Sequence, residues 1–311
     1  MNFAIGIDLG GSSIKAVRVR SDGEIATKQT VPFEDDARMD WASKISAIAD
    51  QLQRPNEEVG RGVEGGTLVP EPLRAAAIGL SAPGLAARNA RSIAVMPGRL
   101  QGLEGLDWTQ HLKSPTPVPV LNDAQAALLG EVWLGAGRSF TNVIMLTLGT
   151  GVGGAAMVDG RLLRGHIGRA GHLGHMSLDP DGTPDVTGTP GSLEVAIGNY
   201  TIQERSGGRF TTTHDLVAAH VKGDPDATTV WLKSVKALAA AIASFINILD
   251  PETIIIGGGV ARSGDALFRP LQKYLDVMEW RPAGHRAKII PAQLGEFAGA
   301  IGAAKNALPA T

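Results

Sequence analysis

The sequence predicts an α/β protein of two domains, and three observations carry that prediction. Strand-like and helix-like segments alternate along most of the chain. Its 311 residues suffice for two cores of ordinary size. Residues 5–17 and 145–158 repeat one pattern, a strand, a glycine-rich turn and a second strand, once in each half.

The elements follow in order. Phe3, Ile5 and Ile7 alternate along one face, the chain turns at Gly10-Gly11, and Ile14, Ala16 and Val17 continue a hairpin. Trp41, Ile45, Ile48 and Leu52 recur at helical spacing, so a helix is expected over 41–52. Residues 54–72, rich in Gly, Pro and charge, read as a surface loop. A buried strand is expected over 75–80 and an irregular stretch from there to Pro119. A short strand, 118–121, leads to Asp123, which opens a helix over 124–134. The second half starts with a strand over 142–148, a glycine turn, a strand over 154–158, a tight Asp159-Gly160 turn and Leu162-Leu163. Helices are expected near 213–221 and 227–249, a strand at 253–256, a helix at 265–277, a strand at 287–290 and a last helix at 297–308.

Composition narrows the function. Hydrophobic residues at 43% and charged residues at 19% describe a globular chain. With 29 Lys and Arg against 31 Asp and Glu, a net charge of −2 offers no basic footprint for nucleic acid or an anionic membrane. The absence of cysteine excludes disulfides, thiol catalysis and thiolate metal sites. The N-terminus turns polar at Asp8, too early for a signal peptide, and the apolar run at 238–249 is too short to cross a bilayer. A cytoplasmic location is therefore expected.

Five segments carry chemistry. In Gly6-Ile7-Asp8-Leu9-Gly10-Gly11-Ser12-Ser13-Ile14-Lys15, an acid at a strand end can hold hydrated Mg²⁺, while turn amides and Ser hydroxyls meet phosphate oxygens. An ordinary glycine hairpin fits the same residues. Leu148-Gly149-Thr150-Gly151-Val152-Gly153-Gly154 has enough glycines for a dinucleotide turn, but a strand follows where that motif needs a helix. Its Thr150 and turn amides suit a phosphate instead. Gly257-Gly258-Gly259 after a buried strand would let a flat base or ribose lie against backbone, or simply turn the chain into a helix. In Leu121-Asn122-Asp123-Ala124, Asp123 fits both a helix cap and a carboxylate that accepts a hydroxyl proton, with Asn122 gripping a neighbouring hydroxyl. Lastly, Gly171-His172-Leu173-Gly174-His175, followed by Glu194, suits hydrogen bonding to a polyol better than it suits a metal, for want of an obvious third ligand.

In this order and spacing the five segments resemble the ROK family of sugar kinases and related repressors, from Gly6 to the last helix. The resemblance implies two actin-like ATPase (ribonuclease H-like) domains with ATP and sugar in an interdomain cleft. Residues 1–118, completed by helix 297–308, would form the first domain and residues 119–296 the second. It further implies that Asp8, Gly10, Gly11, Ser12, Ser13, Lys15, Gly149, Thr150 and Gly151 serve ATP phosphates and Mg²⁺, Asp8 through water. Gly257, Gly258 and Gly259 would flank adenosine. Asn122, Asp123, His172, His175 and Glu194, with Ser81 and Gly84 in the loop beneath, would serve the sugar, Asp123 being the base.

Three departures from the family pattern matter. Its zinc-binding cysteines correspond here to Asp185, Thr187 and Ser192, so no zinc site is expected. A usual glutamate is His172, which weakens the case for glucose and hints at N-acetylmannosamine. The asparagine expected before the Leu-x-x-Trp stretch is absent, and Met96-Pro97-Gly98-Arg99 stands there, with Arg99 read as a solvated loop residue. The leading expectation is a homodimeric, ATP- and Mg²⁺-dependent kinase acting at O6 of a hexose or amino sugar. A non-catalytic sugar or ATP sensor and a repressor-derived protein are the competing classes, the latter disfavoured because only Met1-Asn2 precede the first strand.

Overall fold

The computed structural model describes residues 3–35, 38–54 and 76–309. The loop expected over 54–72 lies, from residue 55 onward, outside these residues, as does the first residue of the strand expected at 75–80. The chain divides into two units, Met1–Trp133 with Phe297–Thr311, and Leu134–Glu296.

In the first unit, β1 (Phe3–Leu9) and β2 (Ser13–Arg20) form the expected hairpin, and β3 (Ile25–Pro32) adds an antiparallel edge. Helix α1 (Asp40–Gln53) crosses over to β4 (Ala77–Ala82), which lies parallel to β1. A two-strand ribbon, β5 (Leu85–Ala86) with β6 (Ile93–Val95), and the single turn of α2 (Trp108–His111) occupy the stretch expected to be irregular. Then β7 (Val120–Asn122) joins parallel to β4 and runs directly into α3 (Asp123–Leu134). The sheet order is β3-β2-β1-β4-β7. Trp41, Ile45, Ile48 and Leu52 put one stripe of α1 into the core with Ile5, Ile7 and Trp108, and the Trp41 and Trp108 rings lie 6.0 Å apart.

The second unit repeats the arrangement. Strands β8 (Val143–Leu148), β9 (Val152–Val158) and β10 (Arg161–Leu162) run antiparallel. Two short helices follow, α4 (Leu193–Ile197) and α5 (Ile202–Arg205), then α6 (Thr213–Val221) and the long α7 (Pro225–Leu249). Strand β11 (Thr253–Gly257), α8 (Asp265–Met278) and β12 (Lys288–Pro291) close the unit, giving the order β10-β9-β8-β11-β12. By length and hydropathy α7 could cross a bilayer, but Trp231, Val235, Leu238 and Ile242 share a core with β8 and β11 while Lys233 and Lys236 are exposed. Asp224 caps its N-terminus through Ala227 N–H, ahead of Pro225.

The last helix, α9 (Ala298–Ala307), returns to the first unit and is buried from Ala298 through Ala304. Small residues permit this. A Cβ on Gly6 would strike Ala300 O, one on Gly79 would strike Ala303 O, and one on Gly302 would strike Ala126 O. Backbone therefore packs on backbone where β1, β4, α3 and α9 meet. The boundary falls after Trp133, not at 118/119, because β7 pairs with β4 and α3 packs on α9. Each half carries the same five-stranded order, two antiparallel pairings then two parallel ones, which is the actin-like ATPase fold expected from the sequence.

Candidate active site

Parallel pairing sets three strand ends of the first unit side by side. Asp8 on β1 is in register with Ser81 on β4, and Ala82 of β4 with Asn122 of β7. Ser81, fully buried, donates its hydroxyl to Asp8 Oδ1. Asn122 is buried; its Nδ2 donates to Gly84 O at 2.9 Å, and its Oδ1 accepts Ala124 N–H at 3.0 Å. Gly84 needs to be glycine, with φ +97° and Ile93 Cγ2 only 3.0 Å from where a Cβ would sit. Asp123 begins α3 with its side chain exposed, one oxygen 2.8 Å from Ala124 N. Ala124 N–H is thus shared by Asn122 and Asp123, and the Asp123 side chain is exposed.

Burial pushes the Asp8 carboxyl up to about 6; the Asp123 charge adds to this, while the Ser81 hydrogen bond and Lys15 oppose it. Gly299, in the first turn of α9, lies so close that an added Cβ would sit 2.7 Å from the Asp8 carboxyl carbon. A raised, hydrogen-bonded carboxyl at a strand end fits a divalent cation, whose charge would offset the cost of ionising it. One such carboxylate leaves most of the coordination of a Mg²⁺ ion to water and phosphate.

The Gly10-Gly11-Ser12 turn is closed by Gly10 N–H to Ser13 O at 3.0 Å, and Lys15 Nζ reaches Ser13 Oγ at 3.2 Å. Arg99 is exposed, as expected of a loop residue, but it is also anchored. Its Nη2 donates to Gly11 O at 2.5 Å, and Nε lies 3.5 Å from Asp35 Oδ2. Asp35 in turn accepts Leu100 N–H, so Arg99 and Asp35 tie the 96–102 loop to this turn.

In the second unit, the ends of β8 and β11 carry the glycines. Gly257 is in register with Thr147, and Gly258, at φ +87°, packs on the backbone of Leu148. Gly258, Gly259 and Thr150 are exposed. The Gly149-Thr150-Gly151 turn is clamped from a second loop: Asn199 N–H donates to Gly149 O and Tyr200 N–H to Thr150 O, both at 3.0 Å. Arg205 braces that loop through Thr201 Oγ1, Ser234 Oγ and Gly198 O. Glu194, buried on α4, lies against Gly151 and accepts Val152 N–H at 2.8 Å.

His172 Nδ1 is 3.0 Å from Arg169 O. His175 Nδ1 is 2.8 Å from Asp185 Oδ2, and one donor atom from each of His175, Asp185 and Glu194 falls within 4.8 Å of the others. Burial works to raise Asp185, but hydrogen bonds from His175, Thr187 and Ser192 outweigh it and hold the carboxyl well below the usual range. The residues that stand in the zinc frame therefore bond to one another. Asp185, which the sequence places where the family carries a zinc-binding cysteine, is the third acidic or histidine side chain of this cluster. The Asn199–Tyr200 clamp and Arg205 carried no sequence signal, since backbone donors leave none.

The ROK family's sequence pattern matches residues 4–309. A glucokinase of Halalkalibacterium halodurans is 32% identical, covering 96% of this chain and 92% of its own length. An N-acetylmannosamine kinase of Escherichia coli is 27% identical over 98% of each. Among solved structures, a ROK family glucokinase from Streptomyces griseus in complex with glucose and AMPPNP is 27% identical, with TM-score 0.75 over 98% of this chain and 99% of that one.

Proposed function

This chain belongs to the ROK family and is an ATP-dependent sugar kinase, and we propose that it phosphorylates O6 of a hexose or amino sugar with Asp123 as general base. The observation that carries the finer reading is the row of Asp8, Ser81 and Asn122 at neighbouring parallel strand ends, with the exposed Asp123 carboxylate next in the chain.

Each residue has a chemical task in this reading. Asn122, held by Gly84 O and Ala124 N, grips a sugar hydroxyl, and Asp123 accepts the proton as the hydroxyl oxygen attacks. That base contributes on the order of 10²–10⁴-fold. His175, Glu194 and His172 accept or donate to other sugar hydroxyls. The amides of Gly11 and Gly151, the hydroxyls of Ser12, Ser13 and Thr150, and Lys15 align the phosphates, Gly10 and Gly149 shape the two turns by donating to Ser13 O and Gly151 O, and Gly257, Gly258 and Gly259 admit adenosine. Asp8, set by Ser81, holds Mg²⁺ through water, and the ion when bound neutralises phosphate charge. The remaining contribution is alignment and electrostatics.

His172, standing where glucose-specific relatives are expected to carry glutamate, favours N-acetylmannosamine as a second reading of the substrate. A cytoplasmic homodimer completes the proposal. The test is a panel of hexoses and N-acetylhexosamines with Mg²⁺–ATP, and with polyphosphate as alternative donor, read by ADP release and product mass. Wild-type turnover of at least one sugar and its loss in Asp123→Asn, with ATP affinity kept, is the expected pair of results. A folded Asp123→Asn with near wild-type turnover would leave Asp123 no catalytic role.

A further inference from the structure

Asp185 has an unusual setting for a side chain outside the reacting groups. It is completely buried. Its Oδ1 accepts three hydrogen bonds, from Thr187 N–H at 2.8 Å, Thr187 Oγ1 at 2.7 Å and Thr189 N–H at 3.1 Å. The turn is closed by Asp185 N–H to Thr189 O and Gly188 N–H to Asp185 O, both at 2.9 Å. With Oδ1 committed to these donors, Oδ2 takes His175, and the Ser192 hydroxyl also bonds to the carboxylate. A carboxylate can only accept, so Nδ1 of His175 must carry the proton, and Nε2 of the neutral ring is then an acceptor.

The same loops fix where Glu194 stands. Leu193 N–H donates to Met176 O at 2.9 Å, directly after His175, and Ser192 Oγ accepts Val195 N–H to cap α4. Ser177 and Ser192 also form a bridge. The histidine and the glutamate are thereby locked into one small cluster, both offering acceptor atoms.

We propose that Asp185 is a positioning residue for sugar recognition: it fixes the tautomer and orientation of His175, so that Nε2 accepts a sugar hydroxyl beside the Glu194 carboxylate. The proposal rests on the kinase reading above. It accounts for a buried carboxylate that otherwise has no task beyond a surface turn.

Asp185→Asn is the discriminating variant because it is isosteric but has one acceptor oxygen instead of two. The three donors of Thr187 and Thr189 claim that oxygen, so the amide NH₂ faces His175 Nδ1 and donates to it. The ring must then move its proton to Nε2 and loses the acceptor. Nitrogen-15 spectra of the imidazole at pH 8 should show an Nδ1–H ring for His175 in the wild type and an Nε2–H ring in Asp185→Asn. The KM for the best sugar should rise about tenfold, the loss of one hydrogen bond, with kcat and the KM for ATP within about twofold. Thr187→Val, which spares the His175–Asp185 pair, should keep the Nδ1–H ring and the sugar KM.

An Nε2–H ring in the wild type would overturn the proposal even if Asp185→Asn proved unable to fold. So would a folded Asp185→Asn whose tautomer changes while its sugar KM does not. A wild-type chain that phosphorylates no sugar overturns the kinase reading instead, and is recognised by the panel before any variant is made.

Discussion

Asp8 should cost the protein stability in exchange for its site, and Asp8→Asn isolates that cost. The folded carboxyl is raised from 3.8 to about 6, first by burial. Between those values the folded state binds a proton that the unfolded state has released, so ionisation opposes folding as pH rises. The penalty is fully present above about 6 and absent below about 4. Two pKa units correspond to about 3 kcal/mol at most; because Asp8 is only part-buried, solvent screening reduces the expected figure to about 1–3 kcal/mol. Asparagine keeps an acceptor for Ser81 and carries no charge. Asp8→Asn should therefore be more stable than the wild type by about 1–3 kcal/mol at pH 8 in EDTA, and equal to it near pH 4. Urea titrations at both pH values read this directly. Mg²⁺ with ATP should stabilise the wild type at pH 8 and should do so much less in the variant, which should also lose at least about 100-fold in kcat. A variant less stable than wild type at pH 8, or one whose advantage persists undiminished at pH 4, would refute the reasoning.

Four further outcomes are expected. Gly79→Ala places a methyl on Ala303 O and should destabilise the first unit by about 1–3 kcal/mol or more, read by thermal melting. Gly149→Ala meets no atom within 4 Å, so its Tm should match the wild type while the KM for ATP rises, because the added methyl stands where phosphate is proposed to lie. His172→Glu cannot donate to Arg169 O and adds a second acceptor oxygen, so it should shift the ranking of kcat/KM between hexoses and N-acetylhexosamines with little effect on ATP. Metal analysis of untagged protein should find no stoichiometric zinc, since Asp185 is already bonded by His175, Thr187 and Thr189, and chelators should act only by removing Mg²⁺.

Much of the fold could be read from periodicity, and the omissions have definite causes. The hairpin, α1, the strands of the second sheet and α6 to α9 announce themselves through apolar spacing or Gly and Pro punctuation. Strand β3 does not, because as an edge it alternates exposed residues, Ala26, Lys28, Thr30 and Pro32, with only half-buried ones, two of them the polar Thr27 and Gln29. The β5–β6 ribbon, α2, α4 and α5 are too short to show a period. In the candidate site, Asp8, Asn122, Asp123 and the glycine turns stood out as local motifs. Ser81 and Gly84 entered by resemblance, and their reason, a hydroxyl on Asp8 and a carbonyl on Asn122, depends on parallel pairing between distant segments. Arg99, Asp35 and Arg205 act through backbone carbonyls and amides, which no residue pattern encodes.

The internal echo in the sequence covers only the two hairpins, yet the two sheets share one strand order throughout. The difference lies in what stands at equivalent strand ends. Where β4 carries Ser81 at its last position but one and leads to Gly84, β11 ends in Gly257 and leads to Gly258 and Gly259. Where the first hairpin holds Asp8 in register with Ser81, the second has Thr147 in register with Gly257, and its turn is backed by Glu194 from α4. One unit thus presents a carboxylate with a hydroxyl partner at its strand ends, and the other a threonine beside bare glycine backbone. A charged end suits a cation, whereas glycine ends allow close approach of a flat or phosphorylated ligand.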